Sequence, residues 1–128
     1  MSLDRRHIIK GAGALMLMGT AACTPHKGTN NMYGLIAKIT ATSGNSEKLA
    51  QIMLAGLKNM PGCLSYIISK DSSDENLLWV HEVWTDAAAH KASLGLESVQ
   101  SAIGKARPLI AGMERIAELS PIGGEGLK

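Results

Sequence analysis

An α+β fold with an antiparallel sheet is what this sequence predicts, and three observations predict it. Short apolar runs with a period of two and longer stretches with helical spacing follow each other in the order β-α-β-β-α-β. The two middle strands are separated only by the polar turn "DSSDEN" (residues 71–76), so they pair as a hairpin. The strands are apolar on both faces, which asks for cover on both sides of the sheet.

Each element has a local reason. In "MYGLIAKITA" (32–41), Tyr33, Leu35, Ala37 and Ile39 share one face. "TSGN" breaks the strand, and Ser46 is a suitable N-cap for a helix over 47–59 with Glu47 in its positively polarised first turn. Leu49, Ile52, Met53, Leu57 and Met60 make its apolar stripe, and Pro61-Gly62 stops it. "CLSYIISK" (63–70) and "LLWVHEVW" (77–84) are the hairpin strands. Thr85 or Asp86 can cap a short helix from Ala87 to His90. A second helical stretch over 96–107 aligns Val99, Ile103 and Ala106, and Pro108 ends or bends it. Residues 113–119 supply the last strand. Met53, Met60 and Met113 read as core filler. The order is that of the ferredoxin-like split βαβ. Leu77, Trp79 and Val83 back onto Leu78, Val80 and Trp84, so both faces of the third strand are apolar. Helices cover one face; a second copy packed sheet to sheet is the simplest cover for the other, giving a two-fold homodimer.

The chain divides into an N-terminal segment (1–31), one domain (32–120) and a tail (121–128). Its 128 residues suit a single domain. Removing Arg5, Arg6 and Lys10 from thirteen Lys and Arg, and Asp4 from eleven Asp and Glu, leaves ten of each. The body is therefore neutral, which argues against nucleic acid as a partner. No later stretch reaches the ~18 apolar residues of a stable membrane span. Cys23 and Cys63 are too few for a disulfide framework and lack zinc-site spacing.

The first residues read as an address. A charged start, an apolar stretch over 11–22 and a small-residue end follow the order of a secretory signal. Arg5-Arg6 followed by His7, Ile8, Ile9 and Lys10 resembles the twin-arginine export signal, with Asp4 where a Ser or Thr is usual. Periplasmic localisation is the expectation, either by cleavage after Ala22 or with a lipid anchor on Cys23. "TPHKGTNN" (24–31) is a polar linker.

The stretch "LLWVHEVWTDAAAHKASL" (77–94) holds both Trp and two of the four His, in a chain without Phe. Together with "PGCLSYIISKDSSDEN" before it, the pattern of Pro61, Gly62, Cys63, Tyr66, Glu82 and Trp84 resembles the antibiotic biosynthesis monooxygenase family, also described as quinol monooxygenases. The resemblance covers about residues 32–119. It implies a dimeric α/β barrel that oxidises a dihydroxy-aromatic with molecular oxygen, using no metal, flavin or haem cofactor. A deprotonated hydroquinone is electron-rich enough to donate to oxygen, so the protein must supply a base, an apolar slot and a group to hold the phenolate. Many members carry a His where this chain has Ser93. His90 stands one turn earlier on the same helix, hence on roughly the same face.

His90 is the first choice for general base, since an imidazole titrates near neutrality. Trp84 would stack on the substrate ring and Tyr66 would donate a hydrogen bond to a substrate oxygen; these three are the catalytic candidates. Ser93, Glu82 and His81 are the substrate-binding candidates. Glu82 shares the Trp84 face and needs a partner when buried, with Arg107 and Arg115 the available cations. His81 and Trp79 point the other way, where a subunit contact is the simpler use. Two further readings stay open: a non-enzymatic dimeric ligand-binding or stress-response module, favoured by the missing His at position 93, and a haem-degrading enzyme, which the chain resembles less well.

Overall fold

The computed structural model describes residues 31–127. The expected export signal, with its alternatives of cleavage after Ala22 or a lipid anchor on Cys23, lies outside the described residues.

Four strands and three helices build the domain: β1 (Tyr33–Ala41), α1 (Ser46–Gly56), β2 (Cys63–Lys70), β3 (Leu77–Trp84), α2 (Ala87–Ser93), α3 (Glu97–Ala106) and β4 (Ile110–Leu119). The sheet order is β2-β3-β1-β4, with every neighbouring pair antiparallel. α1 carries the chain from β1 past one strand position, and the β2–β3 hairpin returns β3 into that gap. α2 and α3 then carry it across β1 to the far edge. This is the ferredoxin-like α+β fold.

Strand alternation sorts the side chains. Leu35, Ile39 and Ala41 of β1 and Leu78, Val80, Glu82 and Trp84 of β3 are buried beneath the helices. One core cluster joins Ile39, Leu78 and Val80 to Leu49 and Met53 of α1 and Ala106 of α3. A second joins Met60, Trp84 and Val99. Burying each such side chain is worth about 1.5–3 kcal/mol. The opposite sheet face carries Leu77, Trp79, His81 and Val83. There the Trp79 indole N–H donates to the Asp71 carboxylate at 2.8 Å, and Lys38 Nζ stands 5.5 Å above the Trp79 ring.

Two glycines let elements approach closely. A Cβ on Gly56 would lie 2.5 Å from the Ala102 Cβ, so α1 and α3 touch backbone to side chain there. Gly62 has φ +82° and would place a Cβ 2.6 Å from the Ala89 Cβ. That contact seats α2 against the loop before β2.

Several boundaries differ from the sequence reading. Ser46 is the first residue of α1 and is itself buried; Asn45 precedes it without a side-chain cap, its amide turned instead to Thr42 Oγ1 at 2.8 Å. α1 ends at Gly56 rather than 59, and Asn59 takes φ +56°, which no helix accommodates. Asp86, not Thr85, caps α2, accepting from the Ala89 N–H at 2.8 Å. After α3, Arg107–Leu109 form one 3₁₀ turn around Pro108, and β4 starts at once at Ile110, opposite Ala41. Met113 is not core: it is 64% exposed on the edge strand β4, where it lines the cavity described below.

Gly56→Ala is expected to lower stability by about 1–3 kcal/mol, the overpacking cost exceeding the up to ~1 kcal/mol that alanine contributes in helix propensity. A urea melt checks this, and an unchanged midpoint would show that α1 and α3 separate without cost. Leu49→Ala, at a fully buried site, is expected to cost about 2–5 kcal/mol in the same measurement.

Candidate functional site

The site grows from the end of β3. Glu82 and Trp84 stand two residues apart, so the alternation places both under the helices. The Trp84 indole N–H donates to Glu82 Oε1 at 2.8 Å. This satisfies a donor that is buried with its ring and gives the buried carboxylate a partner. α2 starts three residues after Trp84 and folds back over the strand end. It presents His90, whose Nε2 lies 3.7 Å from the same Glu82 oxygen, with both side chains largely buried. The His90 ring lies between two aromatic rings: Trp84 edge-on at 5.4 Å and Tyr33 tilted at 5.3 Å. The Tyr33 hydroxyl donates to Glu118 Oε2 at 2.8 Å, and Arg115 Nη1 reaches that same oxygen at 2.8 Å.

Glu82, Trp84, His90 and Arg115 stand at a cavity of ≈ 520 Å³ between the helices and the sheet, to which all four strands contribute. Most of its wall is aliphatic, including Leu35, Ile39, Val99 and Ile103; Tyr66, Glu82, His90, Ser93, Arg107 and Arg115 supply the polar groups. Burial pushes the Glu82 carboxyl above the usual glutamate range, partly offset by the Trp84 hydrogen bond and by the charges of His90 and Arg115. Burial also pushes the Tyr66 phenol well up, reinforced by the nearby Glu82 charge. The Tyr66 hydroxyl therefore stays protonated as a donor. No buried side-chain polar atom among the described residues lacks a partner.

Five of the six predicted site residues, His90, Trp84, Tyr66, Ser93 and Glu82, line this one cavity. His81 does not. It is exposed on the opposite sheet face, between Ile36 and Ile67, because it alternates with Glu82. The expected arginine partner of Glu82 is replaced by Trp84 and His90; Arg115 acts on it only through its charge at longer range. The Ser93 hydroxyl is committed to a local bond, donating to the His90 carbonyl at 2.6 Å, so it braces the last turn of α2 and offers the cavity only an acceptor. Sequence reasoning missed Tyr33 as a neighbour of His90. Its face on β1 was readable, whereas its pairing opposite Trp84 depends on strand register. Among the described residues, no group of three or more His, Cys, Asp and Glu side chains is arranged to hold a metal ion, and no helix is long and apolar enough to cross a membrane.

Residues 32–105 match the model of the antibiotic biosynthesis monooxygenase family. A crystal structure of a candidate antibiotic biosynthesis monooxygenase from Chloroflexus aurantiacus is similar with a TM-score of 0.73 and 47% identity, covering 76% of this chain and 99% of that one. A Pseudomonas aeruginosa protein is similar with a TM-score of 0.65 and 26% identity over 74% of this chain and 98% of its own. A Caulobacter crescentus structure at 22% identity, TM-score 0.64 and coverage of 74% and 93% shares the fold. No curated protein matches the chain. With the fold, the Pro-Gly-Cys turn, the Glu82–Trp84 pair and the matched model in agreement, the chain belongs to the antibiotic biosynthesis monooxygenase family.

Proposed function

We propose that this protein is an oxygenase that oxidises a quinol or related dihydroxy-aromatic with molecular oxygen, with His90 as the base. The observation that carries the reading is the Glu82–His90 contact at 3.7 Å, set in the wall of a largely aliphatic cavity. His90 Nε2 accepts a phenolic proton, and the Glu82 carboxylate beside it stabilises the imidazolium that forms. Tyr66 donates a hydrogen bond to the phenolate oxygen, and the aliphatic walls keep water from competing for it. The electron-rich ring donates to oxygen. One oxygen atom enters the ring and the other leaves as water, so a quinol and O₂ give a hydroxyquinone and water, with the ring as the source of all the electrons. Trp84, with its indole N–H on Glu82, fixes the carboxylate and forms the wall behind His90.

The same proposal includes a homodimer through the helix-free sheet face. Ile67 is 53% exposed there, and the buried strand layer has no second cover among the described residues. Export to the periplasm also belongs to the proposal, supported by the Arg5-Arg6 start of the chain.

The direct test is oxygen uptake with a hydroquinone panel under metal chelation. His90→Ala is expected to lose about 10²–10⁴-fold in rate, the usual contribution of a general base. Uptake equal in both proteins would remove His90 as the base, and none above autoxidation would remove the oxygenase. Glu82→Gln gives a stability test whose sign follows from burial. A raised folded-state value means that Glu82 supports folding below about pH 4.5 and that this support is lost as pH rises through the raised value. Glu82→Gln should therefore melt like wild type at low pH and above it at pH ~8, with wild type the more pH-sensitive of the two. A wild type that matches the variant across the range would show that the carboxylate is not penalised by burial. For the dimer, Ile67→Asp is expected to give a monomer in sedimentation where wild type sediments as a dimer; a monomeric wild type discards the interface.

A further inference from the structure

The two ends of the cavity differ in chemistry, and the reaction proposed above uses one of them. Glu82, His90 and Ser93 stand at one end. α3 then lines the length of the cavity with Val99, Ile103 and Ala106, and Arg107 follows at its close. Val99 packs in the cluster that holds Trp84, whereas Ala106 packs in the cluster that holds Ile39 and Leu78. α3 thus runs from the His90 end to the opposite end, and from Val99 to Arg107 it rises about 12 Å.

Arg107 lines the cavity yet remains exposed, and among the described residues no carboxylate lies within ion-pair distance of it. Arg115, the other cation of the wall, differs in being held by Glu118 at 2.8 Å. A volume of ≈ 520 Å³ falls in the range of pockets that enclose a drug-sized ligand, and exceeds what a single ring needs. An aliphatic channel with a proton acceptor at one end and an unpaired guanidinium at the other is complementary to a molecule with the converse polarity. The guanidinium fork matches a carboxylate in two-point geometry.

Resting on the reading that a phenolic ring is held at His90, we propose that the substrate is an amphipathic aromatic acid. Its oxidisable ring lies at the Glu82–His90 end, its apolar body lies along α3, and its ionised carboxylate pairs with Arg107. Arg107 is then a specificity-determining residue: it selects among quinols by what they carry far from the reacting ring.

The test uses two probes of equal length, a hydroquinone bearing a pentanoic acid side chain and its pentanamide analogue, titrated calorimetrically against the full chain without oxygen. The acid is expected to bind about fivefold more tightly than the amide, the factor that a solvent-reached ion pair supplies. The preference should shrink in ~0.5 M salt, vanish in Arg107→Gln and survive in part in Arg107→Lys. Equal binding of acid and amide to wild type, no binding of the acid, or an undiminished preference in Arg107→Gln would overturn the proposal. Oxygen uptake on the same probes separates it from the reading it rests on. Oxidation of both probes with no preference keeps the quinol oxygenase and removes the anion subsite. An Arg107-dependent preference for the acid without oxygen uptake keeps the subsite and removes the oxidation.

Discussion

The buried carboxylate of Glu82 is the constraint around which the domain is arranged. At 8% exposure it cannot be left without partners. One partner comes from its own strand, the Trp84 indole, and the other from the element that follows, the His90 imidazole. The first bond fixes the rotamer of a large ring that fills the second core cluster. The second ties α2 to the end of β3. Because α3 follows α2 after only three residues, that tie also decides where α3 begins and hence how the cavity runs beneath it.

Packing elsewhere supports the same arrangement. Gly62 and Asp86 both locate α2 at Ala89, one through a contact that tolerates no Cβ and the other through a capped amide. Ser93 closes the helix by bonding the carbonyl of His90 itself. A seven-residue helix is too short to be stable alone, so these tertiary ties hold it in place. The imidazole consequently sits on an element with little freedom, as the base of the proposed reaction requires.

How much of this was legible in the sequence depends on the range of the interaction. β2 and β3 were readable to the residue because a polar turn separates two runs with a period of two. The grouping of Glu82 with Trp84 and the exclusion of His81 from their face follow from the same alternation. The contact between Glu82 and His90 was not legible, since it depends on how α2 crosses β3, and that is set by the Gly62–Ala89 approach. Arginine was the reasonable partner for a buried Glu, but both arginines belong to elements at the rim, α3's end and the edge strand. Met113 failed as a core residue for the related reason that edge position is a property of strand order, which local pattern does not encode.

The position of β4 has a dynamic consequence. It is bonded to β1 alone, and its ladder shifts register twice, after Ile36 and after Thr40. A wall bonded along one side only opens at a lower free energy than the layer behind it, where strands are paired on both sides and helices are docked. An opening of this strand would uncover the Ile110, Met113 and Arg115 side of the cavity without unpairing β1 from β3. A ligand that entered by that side would exchange at a rate set by the sheet's margin, while the geometry at His90, on the other elements, stayed as it is.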